Sequence, residues 1–220
     1  MDNILNESAD MEDDDEEPMT SVESLAALEE AWLNEELSPE LLEHKSELVE
    51  CLQGQVKHME ENIARLTKGD LLISVHKMEI DRVNYIIRSY LKCRLKKIEQ
   101  CSSHILGKEA QTDRDDRFSE AELQFTQEHL SSIEDHLKML ALQHMPATFK
   151  TFPEGIKKMA TPKRDTYVFL KMNQSVPGLA MIDDTIEGGE EIVDLDEGSQ
   201  HIMRYKSIAH LIKSREASLI

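Results

Sequence analysis

The segment from Leu71 to about Cys101 constrains the fold most, because its apolar residues keep one helical spacing throughout. At about 100° per residue, Val83, Ile87, Tyr90, Leu91 and Ile98 share a single face. Arg88, Lys92 and Lys96 fall on the opposite side, where water solvates them. Arg94 does not: it lies roughly 20° round from Val83, inside the apolar stripe. Two accounts of Arg94 stand. Its stem can run past its neighbours and release the charge to solvent. Alternatively its planar fork is buried or interfacial and paired with a carboxylate, since an unpartnered cation in a stripe is costly.

Helical spacing extends over the first two-thirds of the chain. Thr20 and Glu23 form a capping-box pattern ahead of Leu25, Leu28 and Trp32. Ser38 and Pro39 predict a new helix start, with Leu41, Leu42, Leu48, Val49 and Leu52 continuing the stripe. Gly54 is a candidate kink, and "TKGD" closes this stretch before Leu71. Ser119 and Glu122 form a second capping box that opens a helix through Phe125, Ile133, Leu137 and Leu140.

Around Met145 the pattern changes. Pro146, Pro153 and Pro162 fall in a stretch without helical period. Beyond it "TYVFLKM", "EIVDL", "QHIMRYK" and "ASLI" read as short strands between "PG", "EGG" and "DEG" turns, with "SIAHLI" as a short helix. The expected organisation is an acidic disordered tail over 1–20, a helical domain over 21–147, a linker over 148–165 and a small β-rich domain over 166–220. The fold class is mainly α. The tail carries nine acids and no Lys or Arg, too little apolar surface to offset its ordering entropy. Its apolar pair Ile4 and Leu5 is a candidate docking element. About 55 residues is a small domain with little core of its own, which predicts that it docks on something.

Composition narrows the function. A formal net charge of −19 opposes a surface that embraces nucleic acid as a whole, so any such contact is local. The beginning of the chain has neither a basic start nor an apolar run, no stretch reaches a membrane span, and Cys51, Cys93 and Cys101 form no CxxC pair. The expectation is a soluble intracellular protein with reduced thiols. His129, His136 and His144 sit roughly 10–12 Å apart along a helix, too far to share an ion. No phosphate-binding loop and no nucleophile–base constellation can be assembled, so neither catalytic residues nor a metal or other cofactor are expected. "TPKR" places Thr161 in the Ser/Thr-Pro-x-basic pattern of proline-directed kinases, a candidate phosphorylation site.

At "RSYLKCRLKKIE" the chain resembles the signature helix of the GINS complex, in its subunit-four (Sld-five) family. "EEAWLNEELSPELLEHKSELVECL", "HMEENIARL", "SVHKMEIDRVNYIIRSYL", "ALQHMP", "TYVFLK" and "DLDEGSQHIMRYKSIAHLI" follow the same family in order, from about Ser21 to Ile220. The resemblance implies a helical domain and a small β-rich domain in a heterotetramer with three other GINS subunits. It also implies a non-catalytic nuclear role joining the MCM motor ring and the Cdc45 protein in the replicative helicase. A hub protein of the replisome is the partner implied for the acidic tail. Candidates for subunit contact are Tyr90, Leu91, Arg94, Leu95 and Ile98 on the long helix, with Tyr167, Phe169, Arg204 and Tyr205 in the β-rich domain. The competing reading is a direct single-stranded DNA-binding module using the basic helix around 82–97. It has only Tyr85 and Tyr90 as stacking aromatics, and Tyr90 faces the stripe, so any DNA contact is expected to be weak or indirect.

Overall fold

The computed structural model describes residues 19–66, 70–106, 117–146, 161–183 and 189–220. The tail with Ile4 and Leu5, and most of the linker, lie outside the described residues. Helix α1 (Ser21–Leu37) opens on the Thr20–Glu23 capping box. Helix α2 (Ser46–Arg65) passes through Gly54 without interruption. Helix α3 (Leu71–Ile105) starts at the Asp70 cap, and its one non-helical residue is Cys101. Helix α4 (Glu120–Leu140) opens on the Ser119–Glu122 capping box, and a single 3₁₀ turn follows at Leu142–His144.

The first three helices close a core of Leu25, Leu28, Leu52, Val56, Val83, Ile87 and Tyr90. These are the positions the helical spacing selects. A second cluster of Leu41, Ile98, Ile105 and Phe118 joins the far end of α3 to the start of α4. None of the described helices is long and apolar enough to cross a membrane.

Strand β1 (Tyr167–Met172) lies between β4 (Gln200–Arg204) and β5 (Ala217–Leu219), antiparallel to both. Strands β2 (Val176–Asp183) and β3 (Gly189–Leu195) form a separate two-stranded ribbon. Helix α5 (Tyr205–Lys213) follows β4 directly. The alternation along β1 sends Val168, Leu170 and Met172 into a core with Tyr205, Ile208, Leu211 and Leu219, and turns Tyr167 and Phe169 outward.

Two expectations are corrected. The helix expected to start at Pro39 begins seven residues later, at Ser46, and residues 38–45 run as irregular chain. The physical reason lies in their backbone groups, which side chains of α1 and α3 satisfy in place of a helical ladder. Pro177 and Gly178 predict a turn, yet they lie inside strand β2. The structure absorbs that dipeptide as an irregularity in register between Val176 and Leu179. Gly178 takes φ +71, a left-handed conformation open to glycine, and its N–H donates to Asp194 Oδ1 at 2.8 Å.

Candidate subunit interface and the buried polar hub

Arg94 is fully buried, and all five of its N–H groups are used. Nε and Nη2 donate to the two oxygens of Glu122 at 2.8 and 3.0 Å, a parallel fork. Nη1 donates to Glu35 Oε2 at 3.1 Å and to the Leu42 carbonyl at 2.9 Å. Nη2 also donates to the Arg117 carbonyl at 2.6 Å. One guanidinium therefore ties together α1, the 38–45 segment, α3 and the entrance to α4. Of the two accounts of Arg94, the buried ion pair holds.

Glu122 serves twice. As the third residue of α4 it accepts from the Ser119 N–H at 3.1 Å, completing the capping box, while its carboxylate receives Arg94. Burial alone raises the Glu122 carboxyl, but the hydrogen bonds and charge of Arg94, with the Ser119 N–H, outweigh it and hold the group below the ordinary glutamate range. Such a group stabilises the fold above the ordinary value of about 4.3, and that contribution disappears as pH falls through the lower folded value. Acid unfolding followed by circular dichroism should accordingly be shallower for Glu122→Gln than for the parent in this range. Identical acid profiles would contradict the pairing.

Lys97, one helical turn along, completes the hub. Its three N–H groups are shared among four acceptors around Nζ: Glu35 Oε1 at 2.8 Å, Ser38 Oγ at 2.8 Å, the Glu40 carbonyl at 3.0 Å and the Glu35 carbonyl. Tyr90 OH accepts from the Lys45 N–H at 3.1 Å, and Glu35 Oε2 accepts from the Leu42 N–H at 3.3 Å. Two cations thus balance Glu35 and Glu122 while the surrounding carbonyls are satisfied, the condition under which buried charge is tolerated.

The segment so pinned is the seat of the β-rich domain. Leu42 packs against that domain's core. Tyr205 OH donates to Glu40 Oε1 at 3.0 Å, Arg164 Nη2 lies 2.7 Å from Glu40 Oε2, and the Leu219 N–H donates to Asn34 Oδ1 at 2.7 Å. Burial first, and then the Glu40 carboxylate, push the Tyr205 phenol up, so it remains a donor at neutral pH. The docking expected of a small domain is met within the chain itself.

The nine candidate contact residues consequently separate. Tyr90, Arg94, Ile98 and Tyr205 are at most 2% exposed. They have no surface to offer a partner, because the hub, the helical cores and the domain seat consume them. Leu91 is half-buried against the three-helix core. Leu95, Tyr167 and Phe169 face outward, and half-buried Arg204 lies over the Tyr167 ring at 5.6 Å. Phe169 pairs across the strands with exposed Ile202, giving the β4–β1–β5 sheet an uncovered apolar face. Sequence reasoning missed Ile202 and a second feature on α3. Leu71, Val75, Met78 and Tyr85 are exposed and recur at helical spacing on the side opposite the buried stripe. That second stripe was available in the apolar positions left over once the first had been assigned.

The basic helix is likewise divided. Arg88, Lys92 and Lys96 are exposed, whereas Arg94 and Lys97 belong to the hub. Tyr85, the helix's only exposed aromatic, stands edge-on to Trp32 at 6.0 Å. His129 stacks on Phe125, while His136 and His144 are exposed. Among the described residues no group of three or more His, Cys, Asp or Glu is placed to hold a metal.

Residues 19–141 match the GINS complex protein helical bundle domain, and residues 162–220 match the DNA replication complex GINS protein SLD5 C-terminus. The chain belongs to the Sld5 family of GINS proteins. Curated relatives agree along nearly their whole length. The rat DNA replication complex GINS protein SLD5 is 41% identical over 95% of this chain and 94% of its own, and the bovine protein is 42% identical over 94% of each. The Arabidopsis thaliana protein of the same name is 28% identical over 94% of this chain and 95% of its own. Both halves of the Sld5 family are present in one chain, and the hub and seat described above lie where the two meet.

Proposed function

We propose that this chain is a non-catalytic subunit of a GINS heterotetramer acting in DNA replication in the nucleus, and that the tetramer joins the MCM motor ring to the Cdc45 protein at chromatin. The near full-length similarity to SLD5 proteins of the DNA replication complex carries this reading. The geometry supports it: the polar hub is spent on internal rigidity, while the sheet face around Phe169 and Ile202 and the second stripe of α3 remain uncovered. Apolar faces of that kind suit permanent subunit contact. Three sister subunits occupy them in this account, with DNA contact weak or indirect and the acidic tail left for a replisome hub protein. In reconstitution, immobilised MCM ring and Cdc45 should retain the four-subunit assembly that includes this chain. Equal retention of the other three subunits in its absence would contradict the role.

A further inference from the structure

We propose that Thr161 is the acceptor of a proline-directed protein kinase, and that its phosphate competes with Glu40 for Arg164 and Arg117, loosening the join between the helical and β-rich domains. Two Ser/Thr-Pro dipeptides occur in the sequence, Ser38-Pro39 and Thr161-Pro162. Ser38 is 4% exposed, its hydroxyl donates to the Glu40 carbonyl at 2.6 Å, and the residue three places on is Leu41. Thr161 is exposed and lies outside any helix or strand, and the residue three places on is Arg164. Proline after the acceptor carries no N–H and fixes its own φ, which suits docking in an extended form. A guanidinium three residues on suits recognition by carboxylates of an enzyme.

What the phosphate would meet is also visible. Thr161 borders a cleft of about 470 Å³ whose lining includes Lys97, His104, Arg117, Arg164 and one carboxylate, Glu40. Arg164 Nη2 lies 2.7 Å and Arg117 Nη1 3.9 Å from the same atom, Glu40 Oε2. That oxygen is buried and has no hydrogen bond of good geometry, so among the described residues these two guanidinium charges are what hold it. The Arg164 side chain is half exposed and lines the same cleft as Thr161. Its backbone accepts from the Lys206 N–H at 3.1 Å and donates to the Pro162 carbonyl at 3.1 Å, which fixes the acceptor close to the start of α5. A phosphate of about −1.5 to −2 charge is the stronger attraction for both arginines. Glu40 is then left buried with Tyr205 as its remaining partner across the domain join.

The transfer balances in the ordinary way. Thr161 Oγ1 forms a bond to the γ-phosphorus of ATP, the bond to the bridging oxygen breaks, ADP leaves, and the hydroxyl proton passes to the kinase's base.

The test treats the folded full-length chain with purified cyclin-dependent kinase and ATP, then maps phosphate by mass spectrometry and follows melting. Phosphate is expected on Thr161 and not on Ser38, with incorporation lost in Thr161→Ala. The phosphorylated chain should melt roughly 2–4 °C lower, a difference that falls below about 1 °C in Glu40→Gln, where no carboxylate remains to be abandoned. A folded chain that takes no phosphate on Thr161 overturns the site. Unchanged melting, or an equal drop in Glu40→Gln, overturns the competition.

Discussion

Replacing Arg94 with alanine lowers the stability of this chain by about 3–5 kcal/mol, the cost of leaving buried carboxylate without its partner. For a protein of this size that corresponds to a fall in melting temperature of roughly 6–20 °C. The cause is specific: Glu122 loses its fork, Glu35 keeps Lys97 and the Leu42 N–H but loses its guanidinium, and the Leu42 and Arg117 carbonyls lose their donor. Arg94→Lys should recover little of it, because an ammonium has three donors at one point and cannot reach both carboxylates and both carbonyls. Arg88→Ala, on the exposed side of the same helix, should change stability by no more than about 0.5 kcal/mol. Thermal unfolding of the three variants side by side decides this, and equal melting of Arg94→Ala and Arg88→Ala would contradict the hub. Because the hub also fixes the seat of the β-rich domain, Arg94→Ala should reduce the yield of assembly with the sister subunits through the fold and not through lost surface.

The converse holds for the sheet face. The double variant Phe169→Lys with Ile202→Glu exchanges a cross-strand apolar pair for an opposite-charge pair, which the sheet tolerates. The melting temperature of the isolated chain should therefore move little. If that face is covered by a sister subunit, burying two charged groups there weakens association by at least about 100-fold, the scale of losing an interface hot spot. Binding of the variant chain to the other three subunits, measured by calorimetry or surface plasmon resonance, gives the answer. Undiminished affinity would remove this face from the interface and leave the second stripe of α3 as the contact.

Sequence and structure agree where local chemistry decides. Both capping boxes form as their spacing dictates, and the buried side of α3 is the stripe counted from Val83 to Ile98. Arg94 was legible as an anomaly, a cation among apolar residues, but its partners were not. Glu35 lies 59 residues away and Glu122 lies 28 away, so only the packed fold brings them together. The irregular segment 38–45 was misread for the same reason. Its Ser-Pro start is a sound helix signal locally, and it is overridden because Arg94, Lys97, Tyr90 and Glu35 supply its backbone partners. Tyr205 illustrates the limit from the other side. An aromatic next to a strand reads as a contact residue, yet its hydroxyl is claimed by Glu40, 165 positions earlier in the chain.

Membership of the proposed four-subunit assembly is measured most directly by co-expression. With the other three GINS subunits present and a tag on this 25.2 kDa chain alone, native mass spectrometry should find a single complex holding one copy of each subunit. A tagged chain recovered as a monomer while the other three subunits assemble without it would contradict the account.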